Sequence, residues 1–314
     1  KITPCMENGK CAIASGLTNG VGFGSSEFHV FRPTKTLMVQ YLFAYLNRQY
    51  IREIAEQYMT GASGHRRVPI SFYEELPIPI PPISIQKSIA SECGKVDRGF
   101  INSKTLVESR RTEIAALATA VFQDGYPVCA LEELVTDFQY GTAEKSLGFG
   151  KVPVLRMGNI QNGIIDWNDL VYSNNEEDIV KYALKKNDVL FNRTNSPEHV
   201  GKVGLYRGER PAIFAGYLIR IKYKPELINP VYLAYILNSR EMREYGFSVM
   251  SKSINQANIG GGTLAKYKIP VPPMSVQNKL AEKLEKFEAE IAAANKIIAE
   301  APAKKAAILD KYLK

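Results

Sequence analysis

This chain has little that could hold a metal or staple a loop. Four cysteines (Cys5, Cys11, Cys93, Cys129) and three histidines (His29, His65, His199) are scattered through 314 residues. No CxxC pair and no histidine at ligand spacing accompany them, which argues against a zinc site or a disulfide framework. No histidine has a partnered Ser or Cys or lies in HExxH, so none is set up for catalysis. There is no apolar run of 18 residues, and the start, KITPCMENGKCAIASG, lacks a charged-then-apolar leader. The expectation is a cytoplasmic protein with no membrane span and no secretory signal.

Nucleotide chemistry is missing too. No GxxxxGK[ST] occurs, and Gly20 to Gly24 (GVGFG) leads into SSEFHVF, which reads as strand rather than as a helix whose N-terminus holds phosphate. The Pro-Pro pairs, Ile80-Pro81-Pro82-Ile83 and Val271-Pro272-Pro273-Met274, have apolar flanks. They cannot serve as the Asn/Asp-Pro-Pro-aromatic tetrapeptide of an adenine methyltransferase. The chain is expected to catalyse nothing by itself and to carry no cofactor of its own.

What is present is a repeat. Tyr41–Asn47 (YLFAYLN) recurs as Tyr232–Asn238 (YLAYILN), and Ile78–Gln86 (IPIPPISIQ) as Ile269–Gln277 (IPVPPMSVQ), both at an offset of 191 residues. Between the blocks Arg52, Glu53 and Met59 fall on Arg243, Glu244 and Met250. One unit is used twice. Hydrophobic content of 45% with 23% charge is that of folded protein, and the length suits two domains. The net charge of +8 is compatible with a polyanionic partner, since Lys and Arg that neutralise phosphates release counterions.

Each copy ends in a Pro-rich turn followed by a helical pattern. After Pro273, Val276, Leu280, Leu284, Phe287, Ile291, Ala294 and Ile298 step by three or four residues among Glu and Lys. After Pro82, Ile85, Ile89, Cys93, Val96, Phe100, Val107, Ile114, Leu117 and Val121 follow the same plan. A helix of roughly 35 to 40 residues would be about 50 to 60 Å long. The two stripes should pair as an antiparallel coiled coil, although two separate core helices would give the same pattern. Pro302 should break the second helix near residue 300. Between the helices, Val152–Met157, Asp188–Phe191, Val203–Tyr206 and Tyr217–Tyr223 read as short strands, and Pro230–Asn238 as a helix.

The expected class is therefore α+β, with residues 1–82 a first domain, 83–125 its helix, 126–273 a second domain and 274–314 the second helix. A second copy beginning near Tyr126 puts the start of the first copy about 65 residues before Lys1, so the first domain is expected to be N-terminally incomplete. Thr3–Lys10 (TPCMENGK) aligns with Thr194–Lys202 (TNSPEHVGK), one residue longer and in mid-domain.

DVLF (Asp188–Phe191) with its polar loop and Gly201-Lys202, Lys1–Lys10 with GFGSSEFHVFRP (Gly22–Pro33), and the twice-occurring IPxPPxSxQ opening a long helix together resemble the DNA specificity subunits of type I restriction-modification systems. The resemblance covers essentially the whole chain. It implies two target recognition domains, each reading one half of a split duplex DNA sequence, with the coiled coil setting the distance between halves. It also implies partners: methylation subunits, two of them, that supply S-adenosylmethionine chemistry, and restriction subunits. Two similar heads on an antiparallel spacer suit half-sites at a fixed separation. The alternative from another class is a structural adaptor that meets partner proteins through its helices.

Base edges and phosphates are met by loops bearing Arg, Lys, Asn, Gln and Ser. In the second copy the candidates are Tyr140, Thr142 and Lys145; Arg193, Asn195, Ser196 and Lys202; and Lys252, Ser253, Asn255 and Gln256. In the first they are Lys10 and the run His65-Arg66-Arg67, which aligns with the end of SINQAN at 253–258. Ser, Asn and Gly also dominate plain turns, so a solvated loop is the competing reading of each. Arg52 and Arg243, repeated beside Glu53 and Glu244, are expected to stabilise helix packing instead.

Overall fold

The computed structural model describes residues 1–4, 10–62, 66–253 and 256–313. The chain divides into two compact units, Lys1–Glu108 with Ile291–Lys314, and Ser109–Glu290. Each unit includes part of both long helices.

In the first unit α1 (Val39–Leu46), α2 (Gln49–Gln57) and α3 (Ile70–Glu75) precede α4 (Ile83–Gln123), which follows Pro81-Pro82. Proline suits a helix start, where its fixed φ is already helical and its missing N–H costs nothing. The apolar faces of α1 and α2 close over the stripe of α4: Tyr41, Ala44, Tyr45 and Ile51 pack with Ile89, Cys93 and, from the end of the chain, Leu309. A second cluster gathers Ile2, Ala55, Met59, Val68 and Phe72.

The second unit is richer in strands. It runs β1 (Val128–Ala130), α5 (Leu131–Leu134), β2 (Val135–Tyr140), β3 (Val152–Leu155), β4 (Ile160–Gln161), β5 (Ile164–Ile165), β6 (Val171–Ser173), α6 (Glu176–Lys181), β7 (Val189–Asn192), β8 (Thr194–Asn195), β9 (Val203–Leu205), β10 (Ile213–Phe214) and β11 (Leu218–Tyr223). Then come α7 (Pro230–Leu237), α8 (Arg240–Val249), β12 (Ser251–Lys252), β13 (Ala257–Asn258), α9 (Gly261–Ala265), β14 (Lys268–Pro270) and α10 (Met274–Leu313). The central sheet has the order β2-β11-β7-β9 and is antiparallel throughout. A second sheet, β10-β3-β6, mixes parallel and antiparallel pairs. The main core lies between the central sheet, α7 and the long helices, and joins Phe191, Ile219, Ile221, Tyr232, Leu233, Leu264, Ile269 and Leu284.

The long helices are antiparallel in both units. Lys311 bonds Glu92 and Lys305 bonds Asp97 in the first, while Arg110 bonds Glu290 and lies over Phe287 in the second, so the α10 number falls as the α4 number rises. This is the expected coiled-coil pairing. One expectation fails: α10 continues through Pro302 to Leu313. Proline removes one backbone bond, but Ala301 and Leu309 are buried on either side of it, and that packing outweighs the local preference.

The repeat is legible atom by atom. In the first unit Gln86 donates to the carbonyls of Thr36 (2.9 Å) and Pro81 (2.8 Å) and accepts from the Met38 N–H at 2.8 Å. In the second, Gln277 donates to Leu227 (3.1 Å) and Pro272 (2.9 Å) and accepts from Asn229 at 2.8 Å. Tyr41 donates to the Pro79 carbonyl as Tyr232 does to Pro270. Every one of these partners is displaced by the same 191 positions. The long-helix ends follow it in part: Asp310 bonds Arg48 just before α2, and Thr119, 191 positions earlier than Asp310, donates to Glu241 at the start of α8, two positions beyond the counterpart of Arg48.

Candidate nucleic-acid interface

Four sequence candidates of the second unit, Asn195, Lys252, Ser253 and Gln256, lie on or beside its small sheet, β12-β13-β8. Ala257 pairs with Asn195 on one side and Lys252 on the other, so Asn195 and Lys252 share a cross-strand row, about 10 Å apart at two strand spacings. Beyond Lys252, Ser253 donates from its N–H (2.7 Å) and hydroxyl (3.0 Å) to the Gln256 carbonyl. Lys252 and Gln256 are exposed, and the Lys252 ammonium rests 3.9 Å from the Phe247 ring centre.

Arg193 stands between β7 and β8, where its backbone bridges two elements: its N–H donates to Tyr217 and its carbonyl accepts from Ile259. The guanidinium lies over the Tyr140 ring at 4.9 Å and donates Nη1 to the Gly216 carbonyl at 3.2 Å. Tyr140 is fixed in turn, its hydroxyl accepting from the Gly261 N–H at 2.8 Å. Gly141 behind it is obligatory, since a Cβ would lie 2.2 Å from the Phe214 carbonyl oxygen. The result is a half-buried cation over an aromatic ring that, among the described residues, has no carboxylate in an ion pair with it. Such an arginine can donate to a phosphate or to a guanine edge.

Other candidates turn away from this role. Thr142 is buried and its hydroxyl donates to Asp178, so it is spent inside the fold. Ser196 donates to Glu198 at 2.7 Å, a bond that holds the Glu198 carboxyl below its usual range. Lys202 is half-buried, 3.5 Å from the Gln161 side-chain oxygen; burial, then repulsion from Arg243, lowers its pKa. Arg243 itself donates to the Glu198 and Val200 carbonyls and pins the 198–201 loop, a packing role of the kind expected for it. Lys145 is exposed. Asn255 lies outside the described residues.

The first unit carries the same hairpin with other chemistry. Thr60 pairs with Arg67 as Ser251 pairs with Asn258, and Val68 donates to the Ile2 carbonyl as Ile259 does to that of Arg193. Buried Ile2 thus stands where Arg193 stands, and Arg67 where Asn258 stands. Arg67 is not a free cation, because Glu27 accepts from it at 2.7 Å. Arg66 is exposed, with one long bond of 3.4 Å to the Glu56 carbonyl, and Lys10 is exposed. His65 lies outside the described residues.

Sequence reasoning missed Gly216, Tyr217 and Phe247, which brace Arg193 and Lys252. Nothing in their spacing marks them, since each contact joins residues from separate elements. Among the described residues no cluster of His, Cys, Asp or Glu could hold a metal ion, and no helix is long and apolar enough to cross a membrane.

The fold matches a class already seen in a crystal: the type I restriction-modification S subunit from M. genitalium superposes with a TM-score of 0.62 at 17% identity, covering 88% of this chain and 73% of that one. The chain belongs to the family of the type I restriction modification DNA specificity domain, whose model matches residues 7–108 and 142–303. Similar curated proteins include the putative type I restriction enzyme MjaX specificity subunit of Methanocaldococcus jannaschii, 30% identical over 193 residues, which are 60% of this chain and 44% of that protein. The StySPI specificity subunit of Salmonella potsdam is 24% identical over 319 residues, 91% of this chain and 68% of its own length. The matched region is less than half of the M. jannaschii relative and 16% of the Escherichia coli EcoEI subunit.

Proposed function

We propose that this chain is the specificity subunit of a type I restriction-modification complex, a non-catalytic protein that reads a split duplex DNA target with two recognition domains. The observation that carries this reading is the repeated scaffold bearing different side chains at equivalent hairpins. Two heads of one design with unlike contacts suit two unlike half-sites. In the second head Arg193, over the Tyr140 ring, is the base-edge or phosphate donor, Asn195 and Gln256 are base-edge contacts, and exposed Lys252 neutralises phosphate. In the first head exposed Arg66 serves phosphates. The paired helices serve as the spacer that fixes the gap between half-sites.

Adenine methylation and cleavage belong to partners in this scheme. Two methylation subunits bring S-adenosylmethionine, and restriction subunits join them. The test is co-expression of the natural full-length polypeptide with its methylation subunit and mapping of methyladenine across host DNA. A split motif with a fixed gap is the expected result. A stable complex that binds DNA without base preference, or without salt dependence, overturns the reading in favour of a structural adaptor.

A further inference from the structure

Gln86 and Gln277 are buried to 0% and 1% exposure, and among the described residues their side-chain hydrogen bonds go to backbone groups alone. Each saturates its amide with three backbone groups: two carbonyls and one N–H. Each of these partners is on one of two segments. One is the Pro-Pro turn that opens the long helix, through Pro81 or Pro272. The other is the turn that opens the first helix of the YLxxxLN block, through Thr36 and Met38 or Leu227 and Asn229. Tyr41 and Tyr232 tie the same two segments a second time, from inside the block to Pro79 and Pro270. An apolar side chain of similar volume could fill the space; only an amide can bond both segments at once.

We infer that Gln86 and Gln277 are positioning residues that lock the direction in which each long helix leaves its recognition domain, and so set how strictly the complex measures the gap between half-sites. This rests on the function proposed above. The geometry makes the root of the helix the sensitive place. A helix of 41 residues is about 60 Å long. A tilt of about 3° at its root therefore moves its far end by roughly 3 Å, close to the 3.4 Å rise of one base step. The bases read within each half-site are untouched, since the clamp's hydrogen bonds go to segments outside the hairpins.

The test uses the natural full-length polypeptide in complex with its methylation subunit, assayed on duplexes whose half-sites are separated by the native gap or by one base pair more or less. The wild-type complex should prefer its native gap. Gln277→Met, and separately Gln86→Met, should lower that preference at least tenfold while leaving the half-site bases unchanged. Tyr232→Phe, which keeps the ring and removes one bond of the clamp, should lower it in the same direction by a smaller factor, and serves should a Gln variant fail to fold. If folded variants, judged by an unchanged half-site preference, keep the full gap preference, the inference is overturned and the clamp is merely stabilising. A wild-type complex with no bipartite preference would instead overturn the proposed function, a distinguishable result.

Discussion

At the seam between α1 and the tail of α10, Ala44 and Leu309 are buried together in the first unit at 3% and 1% exposure. At the equivalent seam the second unit has the sizes reversed: Tyr235 with Ala118, around a void of only about 10 Å³. The repeat has solved one packing problem in two ways. Leu309→Ala should cost about 2–5 kcal/mol, the loss of a buried leucine plus the cavity it leaves. Ala44→Tyr alone should cost about 1–3 kcal/mol or more through overpacking. If the two effects were independent, the double variant would lose roughly 3–8 kcal/mol. The structure argues otherwise, because the tyrosine brought in would occupy the space the leucine vacates. Its hydroxyl would approach Asp97, which stands where Glu288 accepts from Tyr235. The double variant is therefore expected within about 1.5 kcal/mol of the natural protein, a coupling energy of at least about 1.5 kcal/mol. Hydrogen exchange of the α1 amides reads the stability of this unit locally, which a single global transition in a two-unit protein would not. A double variant whose loss equals the sum of the singles would refute the equivalence of the two seams.

Other consequences can be checked separately. Arg193→Ala should weaken specific DNA binding by about 1–3 kcal/mol and relax preference at one base, whereas Lys252→Ala should weaken binding to all sequences and reduce the salt slope by about 0.9; competition and salt titration distinguish the two. Arg207 donates to Glu285 and Glu288, each at 2.7 Å, so Arg207→Met should destabilise the second unit by about 2 kcal/mol by leaving two carboxylates facing each other; a loss below about 0.5 kcal/mol in urea denaturation would count against it. Burial pushes the Cys93 thiol up to about 11 and the Tyr41 phenol up to about 12. Both are neutral in the folded state, so the stability they contribute is complete below the unfolded values and is lost as pH rises through those folded values. The urea midpoint of the first unit should fall between about pH 9 and 11, and Cys93→Ala should make that fall shallower; an identical fall in the variant would refute the assignment.

Much of the architecture was open to a reader of the letters because apolar spacing and repetition are local properties. The stripe Ile85, Ile89, Cys93 announces α4, and the 191-residue offset announces two equivalent units. Pro302 misleads because its effect is local while the packing of Ala301 and Leu309 is not. The Gln of IPxPPxSxQ was visible twice, but its partners are backbone groups, which no side-chain pattern encodes. The candidate interface could be read only by residue type. Arg193 and Lys252 could be picked by residue type, yet Thr142 and Arg67 could not be struck out until Asp178 and Glu27 were seen beside them. A polar letter in a loop carries no sign of whether its hydrogen bonds are already used.

Leu309, near the far end of this sequence, completes a core begun by Tyr41, Tyr45 and Ile89. During synthesis the core around Tyr41 and Ile89 must therefore stay unfinished until α10, which bears Leu309, has left the ribosome. The second unit draws only on residues between Ser109 and Glu290 and meets no such delay. The usual order, in which what is made first folds first, is reversed. Helper chaperones, or a partner that shelters the waiting α1 face, would act on the early-made part rather than on the late one.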